Sequence, residues 1–211
     1  VLFREVVRKS DFGIDLHTAG AERTNYPQIR ADLANPRVAE LARAFGCPVI
    51  VAGPGPEHSL RRTAVAAGIP TVVFEAGSPL RLERPFIEAG VAGVRNVLRA
   101  LGMIPGEPFA PPLLLTVLRT HWIRSKVGGI IDIQAELGQP LRRLAPISVH
   151  TNPFGGDRSV LKTPYAGVVL GLTQIPLVHP GDAICHLARL ERREMAAWDA
   201  HWQRGQVRIG R

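Results

Sequence analysis

The chain has 211 residues, of which 45% are hydrophobic and 21% are charged. These fractions exclude a disordered chain, a collagen and a coiled coil, and the length fits one or two globular domains. No stretch approaches the roughly 18 consecutive apolar residues that cross a bilayer, and early charges argue against a signal peptide. Cys47 and Cys185 form no disulfide framework, so we expect buried, inert thiols in a cytoplasmic protein without membrane contact.

The net charge of +8 raises the question of nucleic-acid binding. Much of the excess lies in arginines close to the C-terminus, from Arg189 onward. The sequence has no basic stripe with interleaved aromatic residues and no zinc-finger spacing. We therefore expect no nucleic-acid partner.

The first part of the chain alternates between predicted helices and predicted strands. Apolar spacing and capping residues predict helices over residues 1–9, 36–45, 59–67 and 83–101. Short buried runs predict strands over residues 12–16, 48–52 and 71–74, and the polar stretch 21–27 predicts a loop. This alternation is typical of an α/β layer around a largely parallel sheet, here part of a larger sheet.

The second part has a different texture, because glycines separate short runs of Val, Ile and Leu. Such spacing predicts a small all-β domain. Residues 129–141 and 167–184 repeat one pattern of glycine, apolar pair, turn and second apolar pair, which indicates a strand-duplicated barrel. Residues 190–203 predict a closing helix that Trp198 and Trp202 pack down, followed by a basic tail.

Two side chains stand where predicted parallel strands end, namely His17 and Glu75. Open α/β sheets bind ligands at that edge, and these residue types suit metal ligation and acid–base chemistry. Asp15 points to the same side of its strand as His17, so its carboxylate is placed to orient the imidazole. The alternatives are a hydrogen-bonded turn for His17 and a helix cap for Glu75.

Two further polar residues, Arg23 and Asn25, lie in the predicted loop after His17. We consider both as contacts for a substrate carboxylate, since a guanidinium pairs with a carboxylate through two parallel hydrogen bonds. A solvated loop without such a contact is the alternative.

Several motifs in this order resemble one known family. They are Asp15-Leu16-His17-Thr18-Ala19, Asn25-Tyr26-Pro27, Phe74-Glu75-Ala76-Gly77, Asn152-Pro153-Phe154-Gly155, Pro164-Tyr165-Ala166-Gly167 and His179-Pro180-Gly181-Asp182. Together they resemble the succinylglutamate desuccinylase/aspartoacylase family, whose members are zinc hydrolases related to the metallocarboxypeptidases. The resemblance covers roughly residues 1–190.

The resemblance implies a fold of class α/β. A truncated zinc-carboxypeptidase-like sheet domain is expected over residues 1–110 and a small all-β, barrel-like domain over residues 111–190. A C-terminal helix and a basic tail are expected over residues 191–211. A biotinyl or lipoyl carrier role for the second domain is not expected, because the connection over residues 155–159 lacks a lysine.

The resemblance also implies a chemistry. His17 matches the family's third zinc ligand, with Asp15 behind it, and Glu75 matches the glutamate that activates the zinc-bound water and then protonates the leaving amine. Arg23 and Asn25 are the substrate-binding candidates. The expected substrate is a small N-acylated molecule, an N-acyl amino acid or a similar amide, and zinc is the expected cofactor.

One departure from the family pattern is serious. The family's first two zinc ligands belong to an H-x-x-E motif upstream of His17, and this chain, which begins with Val1, contains none. Glu57 and His58 are weak substitutes. We therefore expect a fragment that is inactive or nearly so alone, with homo-oligomers left open by the exposed sheet edge. The alternative is a non-catalytic binding or scaffold protein that retains the fold.

Overall fold

The computed structural model describes residues 1–206, which fall into two compact units. The first unit comprises Val1–His17, Pro27–Ala76 and Leu82–Leu118. The second comprises Thr18–Tyr26, Gly77–Arg81 and the residues from Arg119 onward. Within residues 1–206, every helix is too short or too polar to cross a bilayer. The remaining part of the basic tail lies outside the described residues.

The first unit contains a sheet with helices. The elements that lie wholly or mostly in this unit are, in chain order, α1 (Leu2–Glu5), β1 (Gly13–His17), β2 (Arg23–Ala31), α2 (Pro36–Phe45), β3 (Val49–Ala52), α3 (Leu60–Ala66), β4 (Thr71–Gly77), α4 (Arg84–Ala100) and β5 (Leu115–Val117). The strands lie in the order β1-β4-β2-β3-β5. Three pairs are parallel, namely β1 with β4, β2 with β3, and β3 with β5. The predicted parallel sheet is therefore confirmed.

The helices of this unit begin and end at residues with clear local reasons. The Asn35 side chain accepts hydrogen bonds from two backbone amides at the start of α2, and Gly46 ends the helix in a left-handed conformation. Ser59 caps α3 by accepting from the amide of Arg62. The helices predicted from these signals are confirmed, with ends that differ by at most one residue.

One face of the sheet carries the core of this unit. Its buried members come from three strands and from α2 and α4, and include Ile29, Ala31, Val38, Leu41, Phe45, Ile50, Val72, Phe74 and Val97. The Phe45 and Phe74 rings stack with centroids 5.0 Å apart. Because side chains alternate along a strand, the residues between these core positions project from the opposite face.

The predicted loop over residues 21–27 is wrong, because Arg23–Ala31 forms strand β2. Pro27 and the polar residues before it favour a loop in the sequence, yet Tyr26, Pro27 and Gln28 are all buried. Tertiary packing on both faces of the strand overrides the local signal. The predicted N-terminal helix is also shorter than expected, since α1 ends at Glu5 and one 3₁₀ turn follows.

The second unit is rich in antiparallel strands and ends in a helix. Its elements are β6 (Thr120–Arg124), β7 (Gly129–Ile133), β8 (Pro140–Leu141), β9 (Pro146–Thr151), β10 (Arg158–Lys162), β11 (Gly167–Thr173), β12 (Leu177–Val178), β13 (Ala183–Arg189) and α5 (Arg192–Gln203). One sheet has the order β10-β9-β7-β12. In the other, β11 pairs with β13 and with β8, and β13 pairs with β6.

The barrel-like domain predicted for this region is not confirmed, because the described strands form no closed barrel. The duplicated segments do pair, but crosswise. The long strand β7 of the first repeat pairs with the short strand β12 of the second, while β11 of the second pairs with β8 of the first. The two repeats are therefore interleaved.

Helix α5 packs as predicted through its tryptophans. Trp198 is fully buried and Trp202 nearly so. The Trp198 indole donates a hydrogen bond of 2.8 Å to the backbone oxygen of Gly138, and the ring contacts Tyr26 edge to face. These contacts satisfy the one polar atom of a buried indole.

The core contact of α4 generates a stability prediction. A Cβ at Gly93 would lie 2.0 Å from the nearest Phe45 ring carbon, so Gly93→Ala forces the stacked ring to move. We expect the free energy of unfolding to fall by about 1–3 kcal/mol despite the better helix propensity of alanine. Chemical denaturation followed by circular dichroism measures this change.

The matched control is Gly90→Ala on the same helix. There the new Cβ would lie 3.3 Å from a Phe74 ring carbon, a contact that a small shift relieves. We expect its free energy of unfolding to stay within about 1 kcal/mol of the parent, because helix propensity offsets the tighter packing. Equal effects of the two substitutions would contradict the Phe45 contact.

Candidate active site

The candidate site begins with a row of side chains across the sheet of the first unit. His17 of β1 and Glu75 of β4 are paired in the parallel register. Arg30 of β2 follows on the other side of Glu75, and its Nε atom lies 2.8 Å from Glu75 Oε1. All three project from the face opposite the apolar core, so strand order alone places an imidazole, a carboxylate and a guanidinium side by side.

His17 is held from its own strand. Its Nε2 atom lies 2.9 Å from Asp15 Oδ1, and the imidazole is half exposed. This contact realises the geometry that the two-residue spacing predicts. With Nε2 turned to Asp15, Nδ1 is the ring nitrogen that remains for a further ligand. The roles of both residues stay predictions.

Glu75 is the more enclosed of the two predicted chemical groups. Its side chain is 17% exposed and that of Arg30 is 29% exposed. Their contact is therefore shielded from solvent to a greater degree than the surface pairs of this chain, such as Arg84 with Glu88. A shielded ion pair restrains both partners more strongly than an exposed one.

A second guanidinium, that of Arg61 on α3, lies near this pair. Arg61 is buried, and its Nη1 atom has no hydrogen-bond partner among residues 1–206. Burial and then the charge of Arg30 lower the pKa of Arg61, while Glu75 and Asp32 act in the opposite direction. The folded chain therefore disfavours the charge of Arg61 even with two carboxylates nearby.

Gln28 lies two residues before Arg30 and so projects from the same face of the sheet. Its side chain is fully buried, and neither amide atom has a hydrogen-bond partner within the described part of the chain. An unsatisfied buried amide is costly, and such groups are rare in native cores.

The two predicted substrate contacts lie in the second unit and in a strand instead of a loop. The Arg23 guanidinium sits 4.7 Å from the centroid of the Trp122 ring, and Trp122 stacks in turn on His186. Asn25 is buried and pairs in register with Gly171. Asp15, His17 and Glu75 belong to the first unit, and substrate contact by Arg23 and Asn25 stays a prediction.

The residues that the structure describes do not by themselves fit a complete zinc site. No group of three or more His, Cys, Asp or Glu side chains within residues 1–206 is arranged to hold a metal ion. A catalytic zinc normally takes three protein ligands, and His17 is the one ligand that the sequence predicts. The weak substitute His58 is exposed, and the carboxylate of Glu57 lies 3.6 Å from Arg62.

Other reactive groups have structural explanations. Both cysteines are buried, as predicted, and burial raises the pKa of the Cys47 and Cys185 thiols to about 12. His150 is buried between two serines, with Nε2 2.9 Å from Ser148 Oγ and Nδ1 3.3 Å from Ser125 Oγ, and burial lowers its pKa.

Comparison with known proteins addresses the family directly. Residues 1–101 match the model of the succinylglutamate desuccinylase/aspartoacylase catalytic domain. This part of the chain, just under half of its 211 residues, is therefore similar to the catalytic domain of that family. No curated protein matches the chain significantly.

Solved structures of similar fold carry related names. The apo form of the ectoine utilization protein EutE (DoeB) from Ruegeria pomeroyi superposes with a TM-score of 0.80 at 18% identity, over 90% of this chain and 64% of that one. Its product-bound form gives 0.77 at 20% identity, over 90% and 61%. A succinylglutamate desuccinylase/aspartoacylase from Rhodobacter sphaeroides gives 0.76 at 21% identity, over 90% and 62%.

These likenesses establish a shared mixed α/β fold. The chain spans less than two thirds of the length of each of these three proteins. The activity, substrates and partners of the whole protein are therefore proposals.

Three residues were not predicted from the sequence as members of this site, namely Gln28, Arg30 and Arg61. The first two lie in β2, which the sequence does not predict as a strand because Pro27 favours a loop. Without a predicted strand, the alternation of side chains that places both residues on the face of Glu75 could not be used. Arg61 follows a serine cap on an amphipathic helix, and a lone arginine at such a position is typical of a solvated surface. Only the tertiary structure shows that it is buried.

The environment of Arg61 generates a second prediction. Because the folded state disfavours its charge, Arg61→Met, which keeps much of the side-chain volume, should not destabilise the chain. We expect the free energy of unfolding to stay unchanged or to rise by up to about 2 kcal/mol. Denaturant titration of the variant measures this.

Arg62→Met is the matched control, since Arg62 is exposed and contacts Glu57 and the backbone oxygen of Gly55 on the surface. Its free energy of unfolding should change by less than about 1 kcal/mol. A loss of more than about 3 kcal/mol for Arg61→Met alone would show instead that the Arg61 charge holds nearby carboxylates in place.

Proposed function

We propose that the protein containing this chain is a deacylase that hydrolyses the amide bond of an N-acyl amino acid or a similar small amide. The observation that carries the proposal is the row in which the Glu75 carboxylate stands between His17 and Arg30 at the strand ends. The similarity of residues 1–101 to the catalytic domain of the family supports the reaction class. The product-bound relative from R. pomeroyi supports a small-molecule ligand.

In the proposed reaction the Glu75 carboxylate accepts a proton from the attacking water as its oxygen bonds to the amide carbonyl carbon. The protonated Glu75 then gives that proton to the amide nitrogen while the carbon–nitrogen bond breaks. The products are a carboxylic acid, which ionises in water, and a free amine. Glu75 ends in its starting state, so water is the one co-reactant consumed.

The surroundings of Glu75 support the proposed role. A general base must be ionised and held within hydrogen-bond reach of the water. Arg30 contacts one oxygen of the carboxylate, and β4 fixes its backbone between two neighbouring strands. Partial burial limits competing solvent while a 17% exposure keeps a path open for substrate.

Zinc dependence is a separate proposal, with His17 as one ligand through the nitrogen that Asp15 does not contact. The similarity of residues 1–101 to the catalytic domain of the family supports it. The Asp15–His17 pair supports it as well, because carboxylates commonly orient metal-binding imidazoles. The other ligands would have to come from outside residues 1–206. No step of the reaction is therefore assigned to the metal here.

The first test of the proposed function is Glu75→Gln, which removes the base and keeps the shape. The assay uses the whole protein that contains this chain, purified from cells. It measures the release of free amine from a panel of N-acetyl and N-succinyl amino acids. We expect kcat to fall at least about 100-fold, since general-base catalysis contributes at least that much.

Glu88→Gln on the exposed side of α4 is the control and should leave kcat unchanged. Equal turnover of Glu75→Gln and its parent would remove Glu75 from the reaction. No cleavage of any amide by the parent protein would favour the alternative function, a binding or scaffold protein that retains the fold.

The zinc proposal is tested by metal content instead of turnover. After limited zinc is added and free metal is removed, His17→Ala should retain at least about 10-fold less zinc per chain than the parent, because it lacks a ligand. His58→Ala, which removes an exposed imidazole, should retain as much zinc as the parent. Full retention by His17→Ala would rule out His17 as a ligand.

A further inference from the structure

The ion pair between Arg30 and Glu75 has no step in the proposed reaction. Arg30 Nε lies 2.8 Å from Glu75 Oε1, in a geometry that makes the contact an ion pair and not a hydrogen bond. The two residues come from adjacent strands, β2 and β4, so neither needs a loop to reach the other. A contact between two strands is more rigid than one supplied by a loop.

The backbone of Arg30 is held in place by core packing and by strand pairing. Its neighbours Ile29 and Ala31 are both fully buried in the core on the opposite face. Arg30 pairs in register with Val51 of β3 on its other side. The stem of the side chain therefore starts from a fixed point, and the guanidinium reaches Glu75 along the face of the sheet.

The chemical identity of the side chain matters at this place. A guanidinium is planar and weakly hydrated, so it tolerates partial burial beside a carboxylate better than an ammonium does. The buried Arg61 lies near the same two groups, which adds positive potential beside Glu75. The carboxylate is consequently drawn towards the β2 side of the row, with His17 on its β1 side.

We propose that Arg30 is a positioning residue that holds the Glu75 carboxylate in the orientation in which it serves as general base beside His17. The catalytic part of this inference rests on the proposed function. The structural part, that Arg30 holds the Glu75 carboxylate in one orientation, does not. Arg30 touches neither water nor substrate in the reaction; it acts through Glu75. An ordinary stabilising ion pair is the competing explanation, and it predicts loss of stability without a selective loss of turnover.

The experiment compares Arg30→Gln and Arg30→Lys with the parent. In Arg30→Gln we expect kcat to fall about 10- to 100-fold with KM nearly unchanged, the range typical for residues that orient a catalytic group. Arg30→Lys keeps the charge but not the planar guanidinium, so it should recover part of the lost turnover and not all of it. Crystal structures of the parent and of Arg30→Gln should show Glu75 in different rotamers.

Arg84→Gln is the matched control, because it breaks an Arg–Glu pair of similar length, 2.7 Å, on the exposed surface of α4. It should leave kcat, KM and the Glu75 rotamer unchanged. A fall of the melting temperature in Arg30→Gln with kcat retained would overturn the proposal in favour of a stabilising ion pair.

The two proposals fail in different ways. If the parent cleaves no amide, the proposed function fails, and the Glu75 rotamer alone decides the positioning role. An unchanged rotamer in Arg30→Gln then overturns that role, whereas a displaced carboxylate supports it. If the parent is active and Arg30→Gln matches its kcat, the positioning role fails and the deacylase proposal stands.

Discussion

Successive side chains of a β-strand project from opposite faces of the sheet. This alternation determines where the residues of the candidate site lie. In β1, β4 and β2 the core requires Ile14, Phe74 and Ile29 on one face. The residues between them then have to project from the opposite face. His17, Glu75 and Arg30 stand side by side because three strands commit their other residues to the core.

Much of this arrangement was predictable from the sequence, and the part that was not has a single cause. Helix caps at Asn35 and Ser59, and the buried runs of β1, β3 and β4, gave correct elements and put His17 and Glu75 at strand ends. Strand β2 was lost because Pro27 and its polar neighbours are typical of loops. Because strand β2 was not predicted, Arg30 could not be assigned to the row. Only His17 and Glu75, two of its three members, were predictable from the sequence.

The second unit shows a different limit. The repeated pattern was real, but a repeat in the sequence does not state which copy its strands pair with. Pairing within each copy and pairing between copies use the same residues and bury the same apolar side chains. The structure pairs each long strand with the short strand of the other copy. Such long-range pairing has no local signature, since a turn fixes register only between strands that it joins directly.

The polar face of the sheet carries groups that are costly for stability. Its partner face is a continuous apolar core, whereas this face holds a buried amide at Gln28 without a hydrogen-bond partner among the described residues and a buried guanidinium whose charge folding disfavours. Either group would be selected against in a face whose only task was packing. Both lie on or beside the row that contains Glu75. Within the described residues, these costly polar groups therefore lie on or beside the face that carries Glu75, and the apolar contacts lie on the opposite face.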